Sequence, residues 1–179
     1  MAVYNEDEIL EETIPNLAKE IIVAARTAPK TRGMDNLLTA VITGTDIKLL
    51  ANKMKEIGEA HENHIYLRDS QNVIDGAKAV VLLGCRINTA GLKLCGLCGF
   101  ENCEEKNKYP ETPCSFNTTD LGIAVGSAVS IAADMRLDNR IMYTIGMAAK
   151  ELNLLGDECK IIYGIPLSAS SKNPFFDRK

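Results

Sequence analysis

The sequence predicts a mixed α/β (α+β) fold, in which a sheet of about four strands is flanked by helices and carries one irregular, cysteine-rich insertion over residues 92–116. Two observations predict the body of the fold. Runs of β-branched and other apolar residues at 37–43, 79–83 and 159–165 are typical of buried strands. Apolar residues elsewhere recur every three to four positions, which indicates amphipathic helices.

The first half of the chain divides into these elements as follows. An acidic, amphipathic opening over residues 5–12 precedes a helix that Thr13 caps, with Pro15 in its first turn, and that ends at Pro29. Strand 37–43 ends at Gly44, and Thr45 and Asp46 start a second helix. The sequence HIYLR, residues 64–68, predicts a brief strand, after which Ser70 caps a short helix.

The second half begins with the strand over 79–83 and continues into the insertion. Thr119 or Asp120 is then predicted to cap a helix rich in glycine and alanine. Residues 137–139 predict a turn, in which Asp138 caps a helix that ends near Gly156. Small residues let a helix approach a neighbouring backbone or a flat ligand closely, although ordinary tight helix packing explains the same pattern.

Composition narrows the class of protein. With 179 residues the chain is predicted to be a single domain over 1–179 that contains the insertion. The net charge is −4 and no basic stripe is present, so we expect no nucleic-acid partner. The acidic start does not resemble a signal peptide, and the longest apolar run falls short of the roughly 20 residues of a membrane span. We therefore expect a cytoplasmic protein that binds no membrane.

Four of the six cysteines lie in the segment LKLCGLCGFENCEEKNKYPETPC, residues 92–114, and can close around one metal centre: Cys95, Cys98, Cys103 and Cys114. A [4Fe–4S] cluster takes four cysteine thiolates, and so does a structural zinc site. A zinc site usually has two CxxC pairs, whereas this segment has one. Disulfides are the least favoured alternative, since the sequence has no secretory signal.

Several neighbours of these cysteines favour the cluster. Gly96 and Gly99 follow the first two cysteines, where they let the backbone fold tightly and bring amide groups close to an anionic group. Pro113 imposes an extended approach to Cys114. The remaining two cysteines, Cys85 and Cys159, adjoin buried strands and are predicted to be small core residues, with a lesser claim for Cys85 as a spare thiol.

The cysteine segment resembles a known iron–sulfur domain. The sequence CGLCGFENCEE is similar to the small domain found in corrinoid-protein subunits and in membrane-bound electron-transfer complexes, which has a CGxCGxxxC core and a fourth cysteine further on. The resemblance implies that Cys95, Cys98, Cys103 and a later cysteine hold a [4Fe–4S] cluster. The fourth cysteine of this chain, Cys114, comes sooner than in most members of that family.

The rest of the chain resembles the nitroreductase-like flavoproteins in three segments: AARTAPKTRG at 24–33, DLGIAVGSAVSIAADMRLDN at 120–139, and IIYGIPLSASSKNPFFDRK at 161–179. Taken whole, the sequence also resembles a family of bacterial and archaeal proteins known only as ferredoxin-domain proteins. The resemblance implies a nitroreductase-like sheet flanked by helices and FMN bound at a homodimer interface. It also implies the residues that would contact FMN: Arg26, Lys30, Arg32, Gly164 and Arg178.

Three functions of different classes fit these features. The first is an FMN-dependent oxidoreductase that passes electrons between a cluster and the flavin. The second is an electron-carrier or redox-sensing module, whose acidic residues beside the cluster would suit a basic redox partner protein. The third is a structural zinc-binding protein. No residue stands out as a proton donor, and the catalytic residues are unknown; the basic turn itself is also explained as the cation-rich end of a helix.

Overall fold

The computed structural model describes residues 3–178 as six helices, four strands and two short 3₁₀ turns. The elements in chain order are α1 (Glu6–Thr27), a 3₁₀ turn (Thr31–Gly33), β1 (Leu37–Thr43), α2 (Thr45–Ala60), α3 (His64–Gly76), β2 (Ala79–Arg86), α4 (Cys103–Asn107), α5 (Ser115–Asp134), β3 (Asp138–Asn139), α6 (Tyr143–Glu151), β4 (Cys159–Ser168) and a 3₁₀ turn (Pro174–Phe176).

The four strands form one antiparallel sheet in the order β1-β2-β4-β3. In the register, Leu37 of β1 lies beside Cys85 of β2, and Cys85 lies beside Ile161 of β4. The three apolar runs in the sequence therefore form the three long strands, as predicted. The cysteine segment leaves the sheet where β2 ends, at the edge where β1 and β4 begin.

Helices cover both faces of the sheet. On one face α1 and α5 pack over the sheet through a core that includes Ile21, Leu121 and Ile165. On the other face α2, α3 and α6 enclose a second core around Leu50, Met54 and Phe175. The predicted mixed α/β fold with a helix-flanked sheet is confirmed.

Helix α6 approaches β4 so closely that two glycines are required. A β-carbon on Gly146 of α6 would lie 1.8 Å from the carbonyl oxygen of Ile162, and one on Gly164 of β4 would lie 2.0 Å from Cγ2 of Ile145. Real β-carbons do not approach other atoms this closely. The two glycines therefore let the helix backbone rest directly on the strand.

The first helix starts earlier than predicted. It begins at Glu6, not at Thr13, because Asn5 and Glu8 form a capping box in which the Asn5 side chain accepts a 2.9 Å hydrogen bond from the Glu8 amide. Pro15 consequently lies inside the helix, although proline is usually unfavourable in a helix interior. The acidic residues 6–8 occupy the first turn, where the helix macrodipole favours negative charge.

The predicted strand over residues 64–68 is wrong, since these residues begin α3. Asn63 caps this helix by accepting a 3.0 Å hydrogen bond from the Ile65 amide. The buried positions Tyr66, Ser70 and Val73 then recur at helical spacing. The short run HIYLR contains too few residues to separate this period from that of a strand.

Two later boundaries also differ from the prediction. Helix α5 begins at Ser115 rather than at Thr119 or Asp120, with Cys114 at its N-cap position. Asp138 caps no helix: it lies in β3, and its carboxylate accepts hydrogen bonds from the amide and hydroxyl groups of Ser170 at 2.8 and 2.6 Å. These long-range contacts decide its conformation.

Within residues 3–178, no helix is both long enough and apolar enough to cross a membrane.

Candidate cofactor and metal site

The four cysteines of the segment lie in three different kinds of backbone structure. Cys95 directly precedes a tight turn over residues 96–99 and Cys98 lies within it; the Gly99 amide donates to the Gly96 carbonyl at 2.9 Å and Gly99 has a φ of +88°. Cys103 is the first residue of α4, and Cys114 is the N-cap residue of α5. The segment therefore presents its four sulfur atoms from a turn, a short helix and the start of a long helix.

All four of these cysteines are free thiols, as are Cys85 and Cys159. Cys95, Cys98 and Cys103 are half-buried, and Cys114 is buried. The long helix α5 begins beside Cys114, and the macrodipole of such a helix favours negative charge at this position.

The donor set fits a thiolate-bound metal centre in its chemistry, since four free sulfur ligands occupy one segment. Among residues 3–178, however, no three His, Cys, Asp or Glu side chains already lie close enough together to hold a metal ion. The sulfur atoms would therefore have to draw together to hold a single ion such as zinc. The assignment of Cys95, Cys98, Cys103 and Cys114 as ligands stays a prediction.

Cys85 and Cys159 lie in the protein core, each with 2% of its surface exposed, as predicted for small core residues. Burial, together with the neighbouring Cys159 thiol, raises the pKa of Cys85 to about 12. Burial likewise raises the pKa of Cys159 to about 11. Both thiols are therefore protonated and unreactive at neutral pH.

The two groups of cysteines should differ in reactivity. A thiol with a pKa near 11 is only ~0.1% thiolate at pH 8, because thiolate falls tenfold for each pH unit below the pKa. We expect iodoacetamide at pH 8 to modify Cys95, Cys98 and Cys103 of the native, metal-free chain, and to leave Cys85 and Cys159 unmodified in peptide maps. The same reaction in urea, where all six should react, is the control. Equal rates for Cys159 in native and unfolded protein would contradict its burial.

The predicted basic side chains Arg26, Lys30 and Arg32 lie near the same edge of the sheet as the cysteine segment. Arg26 pairs with Asp35 at 2.6 Å and donates to the Leu37 carbonyl at 3.0 Å. The Lys30 ammonium donates to the carbonyls of Arg26 and Ala28, at 2.6 and 2.8 Å, where α1 ends. Two of the three basic groups therefore close the end of this helix.

Asp35 shows the electrostatics of this turn. Burial alone would raise the pKa of Asp35. Hydrogen bonds from Arg26 and from the Leu37 amide, with the positive charges of Arg26 and Lys30, instead hold the pKa below its ordinary value. The carboxylate stays ionised and fixes Arg26 in place.

Arg32 connects the turn to the segment that enters the cysteine loop. Its backbone has a positive φ of 58°, which is unfavourable for a residue with a side chain, and its Nη1 donates to the Ala90 carbonyl at 2.9 Å. Thr31 beside it donates from its amide and hydroxyl groups to Asp120 of α5, at 3.0 and 2.9 Å. The turn thus holds both ends of the cysteine segment, a role that the sequence did not indicate.

A second polar contact holds the same ends together. The Asn88 amide donates to the Asn117 side chain at 3.0 Å, and the Asn88 side chain donates to Asn36 at 2.7 Å. A partly open cavity beside these contacts, lined by Cys85 and Leu121 among others, has a volume of about 10 Å³. A cavity of this size holds about one water molecule.

The two remaining predicted cofactor residues lie elsewhere. The Gly164 amide and carbonyl are both hydrogen-bonded to Met142, at 3.0 and 2.8 Å. Arg178 is exposed and follows the 3₁₀ turn whose Phe175 carbonyl accepts a 2.8 Å hydrogen bond from Arg140. Burial, with the charges of Arg68 and Arg178, lowers the pKa of Arg140, while Asp69 opposes this effect.

These positions separate the predicted basic residues into two groups. Arg140 follows Asn139, which pairs with Leu167 near the end of β4, whereas the basic turn adjoins Leu37 and the start of that strand. The structure therefore brings Arg26, Lys30 and Arg32 to one edge of the sheet and places Arg178 near the cluster of Arg140, Arg68 and Asp69.

The architecture is that of the nitroreductase fold. A nitroreductase with bound FMN from Desulfitobacterium hafniense superposes with a TM-score of 0.59, over 96% of this chain and 81% of that one, at 13% identity. A BluB-like flavoprotein from Clostridium difficile gives a TM-score of 0.56 over 97% of this chain and 84% of that one, at 17% identity. At these identities the similarity establishes the fold class alone.

The chain belongs to a family described as uncharacterized proteins containing a ferredoxin domain (DUF2148). The family's sequence pattern matches residues 111–178, which include Cys114 but not the CGLCGFENC motif. An uncharacterized protein from Archaeoglobus fulgidus is 37% identical over 97% of this chain and 96% of its own length. The resemblances seen in the sequence, to nitroreductase-like proteins and to ferredoxin-domain proteins, are thus confirmed at the level of fold and family.

Proposed function

We propose that this protein is a cytoplasmic redox protein that holds a [4Fe–4S] cluster on Cys95, Cys98, Cys103 and Cys114 and that also binds FMN. The observation that carries the proposal is the presence of four free thiols in one segment at the sheet edge of a nitroreductase fold. The family's description as proteins with a ferredoxin domain supports an iron–sulfur centre. When bound, a cluster supplies single-electron transfer and FMN couples it to two-electron chemistry.

The chain's part in this function is to hold the centre against the body. Thr31 and Arg32 bind Asp120 and the Ala90 carbonyl on either side of the cysteine segment. Lys160 of β4 pairs with Glu111 at 3.3 Å, just before Cys114. These contacts fix both ends of the loop that carries the four sulfurs.

FMN would bind with its phosphate on the basic residues. Arg32 has the clearest capacity, because the structure uses only its Nη1, for the carbonyls of Ala90 and Gly91; its Nε and Nη2 have no hydrogen-bond partner within residues 3–178. Arginine suits phosphate because its planar group donates two parallel hydrogen bonds. Arg26 and Lys30 would add positive charge. The amide and carbonyl of Gly164 are already bonded to Met142, and the residue packs against Ile145, so the predicted contact of Gly164 with the flavin is not part of this proposal.

A homodimer would bring Arg178 to the same cofactor. Within one chain Arg178 lies near Arg140, toward the far end of β4 from the basic turn. If Arg178 came from one subunit and the basic turn from the other, both could reach one phosphate. The outer face of α5 suits such an interface: it carries Gly122 and Gly126, where an added β-carbon would meet no atom within 4 Å, so packing within the chain does not require either glycine.

Analysis of anaerobically purified protein tests the proposal directly. We expect about four iron and four sulfide per chain, from the stoichiometry of the cluster, and FMN released by acid. Zinc without iron would favour the structural zinc alternative. Iron without flavin would favour an electron carrier, for which the exposed Glu101 and Glu104 beside Cys103 offer a docking surface to a basic partner protein.

Replacing Arg32 tests the proposed phosphate site. We expect Arg32→Ala to weaken FMN binding about 10- to 100-fold, the effect of losing a charged hydrogen-bonding group worth about 1.5–3 kcal/mol. Binding is measured by flavin fluorescence titration of the cofactor-free chain. Lys19→Ala, which removes one positive charge from the exposed face of α1, should leave the affinity unchanged. Unchanged affinity in Arg32→Ala would place the phosphate elsewhere.

A further inference from the structure

Lys106 has an unusual environment for a lysine. Only 2% of its surface is exposed, although it lies in the short helix α4 within the cysteine segment. Its ammonium group has no hydrogen-bond or ion-pair partner among residues 3–178. Every side-chain nitrogen in that range that is fully enclosed does have a partner, so the Lys106 ammonium is not fully enclosed. The ammonium therefore keeps a narrow opening to solvent. Lysine is rarely buried without a partner, because desolvating a charge is costly.

Lys106 lies on the same side of α4 as the proposed ligand Cys103. Cys103 and Lys106 are three residues apart in α4, so they lie on the same face of the helix. They occupy its inner side, with Cys103 half-buried and Lys106 buried, whereas Glu104 and Asn107 are exposed. Residues at this spacing have β-carbons about 5–6 Å apart.

The acidic residues nearby do not neutralise this charge. Glu104 lies on the exposed side of α4. The carboxylate of Glu105 accepts a 2.9 Å hydrogen bond from the Glu101 amide, at the start of the helix. Glu111 is paired with Lys160. The other two lysines of the segment, Lys93 and Lys108, are exposed.

We infer that Lys106 supplies the positive charge that compensates the thiolate-bound metal centre, an inference that rests on the proposed function. Four thiolates around an iron–sulfur core leave a net negative charge, and reduction adds to it. A cation held beside the centre stabilises the reduced form more than the oxidised form. Lys106 would thus raise the reduction potential of the cluster, as a tuning residue that does not itself react.

The test compares three variants of the full-length protein, purified anaerobically with their clusters. Lys106→Met keeps the length of the side chain and removes the charge, Lys106→Arg keeps the charge, and Lys108→Met removes an exposed charge from the same loop. Each midpoint potential is measured by redox titration followed by electron paramagnetic resonance, and iron content is measured in parallel.

We expect Lys106→Met to make reduction at least tenfold less favourable, which is a fall of 59 mV for a one-electron couple. Lys106→Arg and Lys108→Met should match the wild type. Equal potentials in wild type and Lys106→Met, with full iron in both, would overturn the inference and leave the proposed function standing. If Lys106→Met fails to retain iron, a wild-type potential in Lys106→Arg supports the inference and a lowered one overturns it. A wild-type protein without iron overturns both.

Discussion

Cys98→Ser should lose the metal centre and loosen the cysteine segment. A serine hydroxyl is a poor substitute for a thiolate ligand, and the free energy of ligation is also free energy of folding for the segment that supplies the ligands. We expect iron to fall from about four per chain to below about one, with the visible absorption of the cluster lost to a similar extent. Proteolysis within residues 92–102 should become faster, since these residues belong to no helix or strand.

Cys159→Ala is the matched control for that experiment. Cys159 is a buried core thiol and not a proposed ligand, so its replacement should leave the iron content unchanged. It should lower the free energy of unfolding by about 1 kcal/mol through the small cavity it creates. Full iron and sulfide in Cys98→Ser, or loss of iron in Cys159→Ala, would contradict the assignment of the ligands.

Gly146→Ala should destabilise the body of the protein severely. The added β-carbon would stand 1.8 Å from the Ile162 carbonyl oxygen, so α6 must move away from β4 or the strand must bend. The contact is with backbone atoms, which cannot move aside as a flexible side chain can. We expect a loss of about 3 kcal/mol or more in the free energy of unfolding measured by urea denaturation, at the upper end of the cost of overpacking.

Met147→Ala supplies the comparison in the same helix. Met147 is 45% exposed and adjoins Gly146, so its truncation should change the free energy of unfolding by no more than about 0.5 kcal/mol. If Gly146→Ala proved as mild as Met147→Ala, the close approach of helix and strand would be wrong.

The elements that the sequence predicted are those encoded by local pattern. The runs 37–43, 79–83 and 159–165 are continuous apolar stretches, and each became a strand of the sheet. Residues 64–68 were misassigned because five residues do not reveal a period, and the Asn63 cap decided for a helix. Strand β3 has only two residues, and its pairing with Leu167 and Ser168 depends on contacts that no local pattern contains.

The same distinction applies to the candidate site. The cysteine spacing is local and visible in the sequence. The contacts that hold the segment are not: Thr31 and Asp120 are 89 positions apart, and Arg32 and Ala90 are 58 apart. Likewise nothing in the sequence separates Lys106 from its exposed neighbour Lys108, because burial is a property of the folded chain.

The cysteine segment lies outside the two apolar cores, so oxidative damage to its metal centre would not unfold the rest of the protein. Neither of the two apolar cores includes a residue between Gly91 and Pro113, so opening this segment exposes little of the surface whose burial stabilises the body. A chain that has lost its centre to air would then stay folded and able to accept iron and sulfide again, rather than unfold and aggregate. Backbone amides of the segment should exchange with deuterated water long before those of β2, and the same molecule could be refilled with iron and sulfide without first being refolded.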